Sequence, residues 1–241
     1  MTHAVRLIAP ILVSCPLLLT TSCSVRTPVP DDGFVMIFDG KTLNGWRVGG
    51  GGTAKDWSVG KNGVLVGKCK SQSSYLVFAD NALRDFELKL SYRLLTKANT
   101  GVEIRGRVDP TGKRPFESYH ADIGHIGIGK NVLGAWDFHF STRREHPNPR
   151  GSSLVIDAEE NPHLTDLPDA LTVDDIYSRA QWNHVRIVAR GNHCQFFINN
   201  KLSSEFIDKA ASGRLESGFV ALQLHDEGIH VEFKDLRLKR L

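Results

Sequence analysis

Nine consecutive residues, Phe86-Glu87-Leu88-Lys89-Leu90-Ser91-Tyr92-Arg93-Leu94, alternate apolar and polar without a break. Successive side chains on a β-strand point to opposite faces, so this order buries one face and wets the other. Gly101 to Arg105, Val185 to Val188 and Cys194 to Ile198 repeat the pattern, and Gly218 to His225 and His230 to Leu238 close the chain with two more runs. The turn Gly60-Lys61-Asn62-Gly63 separates Asp56–Val59 from Val64–Cys69 and carries the Asn-Gly pair of a hairpin. The nearest approach to helical spacing is Asp174 to Arg179, enough for one turn. Many short strands with few short helices predict an all-β sandwich or barrel of antiparallel strands.

The chain opens differently. A basic start ending at Arg6 precedes an apolar run from Leu7 to Leu19 and the small residues Thr20-Thr21-Ser22 before Cys23. This is the order of a bacterial export signal, and the run is too short, and too interrupted by Pro10 and Pro16, to span a bilayer. Residues 1–22 are expected to be removed and Cys23 to carry lipid, with residues 23–33 as a tether and 34–241 as one domain. The expected location is the periplasm or the outer membrane of a bacterium, with the membrane touched through the lipid alone. A domain of about 200 residues suits one sandwich core. Lys and Arg number 30 against 27 Asp and Glu, and they are scattered, which leaves no footprint for nucleic acid. Cys69 and Cys194 remain in an oxidising compartment, as a disulfide or as two buried thiols. Ser141 to Ala180 holds four prolines and little periodicity, and reads as a long, partly ordered connection at the mouth of a site.

The opening Phe34-Val35-Met36-Ile37-Phe38-Asp39-Gly40-Lys41-Thr42-Leu43-Asn44-Gly45-Trp46 resembles the start of the 3-keto-disaccharide hydrolase family. Further blocks follow in that family's order: Asp85-Phe86-Glu87-Leu88, Asn99-Thr100-Gly101-Val102-Glu103-Ile104-Arg105, Ser118 to Gly124, Gln181-Trp182-Asn183, Gly191 to Asn200, Gly218 to His225 and Val231 to Leu236. The resemblance implies a concanavalin-like jelly-roll sandwich and an oligosaccharide or glycoside substrate oxidised at C3. Alternation puts Glu103 with Arg105, His120 with Asp122, and Gln223 with His225, each pair on one face of its strand. A solvent-facing sheet shows polar residues at every second position in any case. For Arg105, Asp122, Gln223 and His225 it is the match to the family's motifs that points to a site.

Cleavage of a 3-keto-glycoside needs a base at C2, a donor or cation for the enolate oxygen, and an acid at the leaving oxygen. On this chemistry Asp122 or His120 takes the base role, Arg105 the enolate and His225 the acid or a second base. Glu103, Glu117, Gln223 and Trp136 are the expected sugar contacts, with Trp136 stacking on a ring face. Glu103 with Glu117 or Asp122 is the alternative, a carboxylate pair of the glycosidase kind. No cofactor is demanded; a divalent metal held by Asp122, His120 or His225 stays open, since no zinc-type spacing occurs. No Gly-x-Ser-x-Gly elbow is present. His120 stands where the matching branch has Gln, and Trp136-Asp137 where it has Tyr-Asp. The competing function is a carbohydrate-binding sandwich without catalysis, because a fold does not fix its function.

Overall fold

The computed structural model describes Met1 and residues 32–70, 73–125, 131–169 and 171–241. The export signal and Cys23 lie outside the described residues. From Gly33 to the C-terminus the chain forms one unit. Its strands are β1 (Val35–Met36), β2 (Trp46–Gly50), β3 (Trp57–Val59), β4 (Leu65–Lys68), β5 (Ser74–Phe78), β6 (Phe86–Leu94), β7 (Gly101–Arg107) and β8 (Glu117–Asp122). They continue as β9 (Trp136–His139), β10 (Ser152–Ile156), β11 (Pro162–Asp166), β12 (Asn183–Arg190), β13 (His193–Ile198), β14 (Lys201–Asp208), β15 (Phe219–Leu224) and β16 (His230–Arg240). A single short α-helix, α1 (Val173–Ile176), lies among the described residues, with 3-10 turns at Ala54–Asp56 and Lys61–Gly63.

Ten strands make one sheet, in the order β11-β10-β14-β13-β12-β6-β16-β4-β3 with β1 also on β16. The other sheet has six, β2-β5-β15-β7-β8-β9. The alternation that defines the β6 sequence sends Phe86, Leu88, Leu90, Tyr92 and Leu94 inward. They meet Leu76, Val102, Ile104, Tyr119, Ala121, Trp136 and Phe138 from the six-stranded sheet in one apolar cluster. Each large side chain so buried stabilises the fold by about 1.5–3 kcal/mol. The residues between these on the six-stranded sheet face the other way, and some form a second cluster of Tyr75, Val77, Phe116, Phe219 and Ala221. Phe116 lies edge-on to Tyr75 at 4.7 Å and to Phe219 at 5.2 Å, covering β5 and β15 from the chain just before β8.

One expectation changes, and one choice left open is decided. The segment from Ser141 to Ala180 is not an irregular connection: it contains β10, β11 and α1. β10 runs parallel to β14, which a pattern of hairpins does not foresee, and this pairing extends the ten-stranded sheet at its edge. Cys69 and Cys194 are both buried and are not joined to each other. Burial pushes the Cys194 thiol up to about 12.

Candidate active site

Strand register lines up one row of residues across the whole six-stranded sheet. Arg47 pairs with Val77, Val77 with Ala221, Ala221 with Glu103, Glu103 with His120, and His120 with Asp137. Directly paired residues share a face, and this row lies on the face turned away from the interior cluster. His139 is two residues beyond Asp137 and pairs with Ser118, so both belong to the same face.

Glu103 is the centre. Its side chain is fully buried. Oε1 is 2.8 Å from His120 Nδ1 and 3.5 Å from His139 Nδ1, while Oε2 accepts a 2.6 Å hydrogen bond from the Ser118 hydroxyl. The two imidazoles are stacked, with centroids 4.5 Å apart. The second nitrogen of His139, Nε2, lies 3.6 Å from the Asp137 carboxylate. Burial disfavours charge on Glu103, but the adjacent His120 and His139 outweigh it and hold the carboxyl well below its ordinary range. His139 is held protonated well above its usual range, burial being outweighed by Glu103 and Asp137. Asp137 is drawn down to about 2, chiefly by its contact with His139. Glu103, His120 and His139 each offer an atom within 4.8 Å of the others, the one such group among the described residues suited to a metal ion.

A second group adjoins the first. Asp122 pairs with Gly101 and shares a face of β8 with His120. Its Oδ1 accepts from the Gly124 amide at 2.9 Å, and its Oδ2 is 2.5 Å from His125 Nδ1. The Asp122 contact raises His125, against the effect of burial and with help from Asp226 and Asp137. Asp226 in turn bonds His225 Nδ1 at 2.8 Å and the Asn99 amide at 2.7 Å. On β15, Gln223 donates to the Tyr75 hydroxyl at 3.2 Å, and its buried Oε1 has no partner. Burial and the charge on Glu103 push the Tyr75 phenol up to about 12, so it stays a donor at neutral pH.

Glu103, His120, Asp122 and Gln223 therefore sit on one face, with His225 just past the end of β15. Arg105 and Trp136 do not join them. The register of β7 slips between Ile104 and Arg107, and Arg105 takes φ 51° at the slip. Alternation fails at such a bulge. The Arg105 side chain turns away from Glu103 and donates to the carbonyls of Arg84 at 2.7 and 3.0 Å and of Leu215 at 3.2 Å, with Asp85 at 3.3 Å. Trp136 faces the interior, 5.1 Å from Phe206 and 5.7 Å from Phe196, with no ring face left for a sugar. Glu117 is buried and saturated: it accepts from Ser141, Thr142 and Arg107 at 2.6–3.0 Å. His139, Asp137, His125 and Tyr75 were missed from sequence. The signal for two of them was present, since Trp136-Asp137-Phe138-His139 alternates as plainly as β6 does.

Two sheets packed over one apolar cluster define an all-β jelly-roll sandwich, with the acid–imidazole row on the face of the six-stranded sheet turned away from that cluster. Residues 33–239 match the family described as the 3-keto-alpha-glucoside-1,2-lyase-like domain, and the chain belongs to that family. A 3-keto-disaccharide hydrolase of Bacteroides thetaiotaomicron is 34% identical over 86 residues, a stretch amounting to 33% of this chain and 29% of that relative. Among solved structures, a Parabacteroides distasonis protein provisionally assigned as a glycosyl hydrolase superposes with TM-score 0.60 at 19% identity, covering 87% of this chain and 94% of that one. The β-glucanase of Bacillus licheniformis gives 0.54 at 9% identity, covering 86% and 97%. Carbohydrate-binding module CBM66 of Bacillus subtilis gives 0.51 at 14%, covering 81% and 95%. At such identities the structural likenesses establish the fold.

Proposed function

We propose that this protein cleaves 3-keto-glycosides by removing the C2 proton and expelling the C1 aglycone. The observation that carries the proposal is the row itself: the protonated His139, with His120 stacked against it, lies on the same face as Asp122, the carboxylate that holds the His125 imidazole. A C3 carbonyl makes the neighbouring C2 proton acidic, and the chemistry then needs one base and one site of positive charge. His125 holds its Nδ1 against Asp122, which leaves Nε2 to accept the C2 proton. The electron pair of the C2–H bond becomes the C2–C3 double bond of an enolate, whose O3 charge the His139 and His120 side of the row stabilises. Collapse of the enolate forms the C1–C2 double bond and breaks the bond from C1 to the aglycone oxygen. The imidazolium of His125 returns its proton to that oxygen. Water then adds across C1–C2, hydroxyl to C1 and proton to C2, which regenerates the 3-keto sugar.

Asp122 acts in this scheme as the residue that positions the base, and Gln223 with Tyr75 as donors and acceptors for the sugar hydroxyls. Glu103 with its imidazoles replaces Arg105 at the enolate. The family membership supports the substrate class, and the 86-residue match to a 3-keto-disaccharide hydrolase supports the same reading. The signal segment and Cys23 add the proposal that the reaction takes place outside the cytoplasm, on a lipid-anchored protein.

The test is aglycone release from 4-nitrophenyl 3-keto-glucoside by the purified protein and by His125→Asn. Release that falls by 10²-fold or more in the variant supports the proposal, the range expected for loss of a general base. Measurable binding of the sugar with no release from the wild-type protein would assign the sandwich to carbohydrate binding.

A further inference from the structure

The arrangement around Glu103 is more specific than an ion pair requires. We infer that Glu103 Oε1, His120 Nδ1 and His139 Nδ1 are the protein ligands of one divalent transition-metal ion, bound on the face of the six-stranded sheet turned away from the interior cluster. Its catalytic part rests on the reading given above; the binding part stands on geometry alone.

Distances are the first support. An ion of this kind sits about 2.0–2.2 Å from carboxylate oxygen and imidazole nitrogen. Neighbouring ligand atoms around it are then about 3.0 Å apart at a right angle and about 3.4 Å apart at a tetrahedral one, taking that bond length. The separations from Glu103 Oε1 are 2.8 Å to His120 and 3.5 Å to His139. All three atoms lie within 4.8 Å of one another.

The surroundings are the second. Metal-binding histidines characteristically give their other nitrogen to a carboxylate, and metal-binding carboxylates are themselves hydrogen-bonded. Both features are here: His139 Nε2 faces Asp137 at 3.6 Å, and the Ser118 hydroxyl holds Glu103 Oε2 at 2.6 Å. Two imidazoles and one carboxylate favour zinc, cobalt, manganese or iron over calcium or magnesium, which take oxygen ligands.

Three protein ligands leave positions open for substrate. A 3-keto sugar offers its C3 oxygen, and an ion at this place would polarise that carbonyl as a Lewis acid and hold the enolate formed from it.

Cobalt(II) is the probe. The full chain, dialysed against chelator and then freed of it, is titrated with cobalt chloride and followed by visible absorption and by calorimetry. One equivalent should bind with visible absorption characteristic of nitrogen and oxygen ligands. His139→Gln and Glu103→Gln should lose that absorption, and Asp137→Asn should weaken binding ten- to a hundredfold. Asp137 is exposed at the surface, so its variant tests the site without endangering the fold. Absence of a saturable single equivalent, or unchanged affinity in both Asp137→Asn and His139→Gln, overturns the site. Cobalt binding without turnover of any 3-keto-glycoside would retain the site and remove the proposed reaction. Full turnover by chelated protein that takes up no cobalt would do the reverse.

Discussion

Gly101 lies directly beneath the His120 ring: a Cβ at that position would stand 2.0 Å from His120 Cε1 and 2.3 Å from Nε2. Real Cβ atoms do not approach so closely, so the glycine on β7 is what lets the imidazole on β8 lie flat over the neighbouring strand. Gly101→Ala is therefore expected to displace His120 from Glu103 Oε1. Such a shift of about 1 Å costs on the order of 10²-fold in kcat/KM, with about 1–3 kcal/mol of stability for the overpacking. Kinetics on 3-keto-glucosides alongside urea unfolding separate the two effects. Undiminished turnover would show that the His120 position does not matter to the reaction.

The His125–Asp122 contact fixes the direction of the pH response. His125 must be neutral to accept a proton, and its pKa is raised above 6.5 by Asp122 first, with Asp226 and Asp137 adding to the effect against burial. The logarithm of kcat/KM should thus rise with pH and level off above a midpoint that lies higher than 6.5. In Asp122→Asn the main raising influence is gone, so the midpoint should move down toward 6.5 while the plateau also drops, because the ring is no longer oriented. A profile that stays put in the variant would separate His125 from the proton transfer.

What the sequence makes legible is whatever obeys strict alternation. β6 and the polar faces of β8 and β15 follow it, and Glu103, His120, Asp122 and Gln223 can be placed from it before any coordinates are known. Arg105 escapes because one bulge reverses the face of everything after it, and the bulge between Ile104 and Arg107 is marked in the sequence only by Gly106, a glycine inside a strand pattern. Trp136 illustrates the opposite error. Its aromatic ring suggested a sugar platform, but the alternation within β9 gives the interior to Trp136 and Phe138 and the open face to Asp137 and His139. The row itself depends on which strands are neighbours, and β15 lies between β5 and β7 although it comes more than a hundred residues later than either.

Arg105 and Trp136 accordingly carry predictions about stability. Arg105→Met removes the donors that satisfy the Arg84 and Leu215 carbonyls, at a cost of about 2–4 kcal/mol. Trp136→Ala opens a cavity beside Phe206 and Phe196 and should cost about 3–5 kcal/mol. Neither residue reaches the Glu103 row, so kcat/KM per folded molecule should change by less than about threefold. Chemical unfolding and active-site titration measure both quantities. A loss of sugar affinity in Trp136→Phe, with the fold intact, would restore the stacking role.

Glu117 governs the acid limit of the fold. Its carboxylate joins β8 to Arg107 on β7 and to the Ser141 and Thr142 amides that follow β9. Burial raises its pKa, but these donors outweigh that and the carboxyl ends below its ordinary 4.5. A carboxyl depressed on folding contributes stability that is complete above 4.5 and is lost as the pH falls through the lower folded value. Glu117→Gln keeps the size and one acceptor but gives up the charge facing Arg107, and places an amide group toward donors. It should destabilise the protein at pH 7 by about 2–4 kcal/mol. It should also flatten the decline in stability below pH 4.5, since the group that titrates there is gone. Denaturant midpoints for the two proteins from pH 3 to pH 7 make the comparison. Curves that run parallel down to the lowest pH would show that the acid limit is set by a carboxylate other than Glu117.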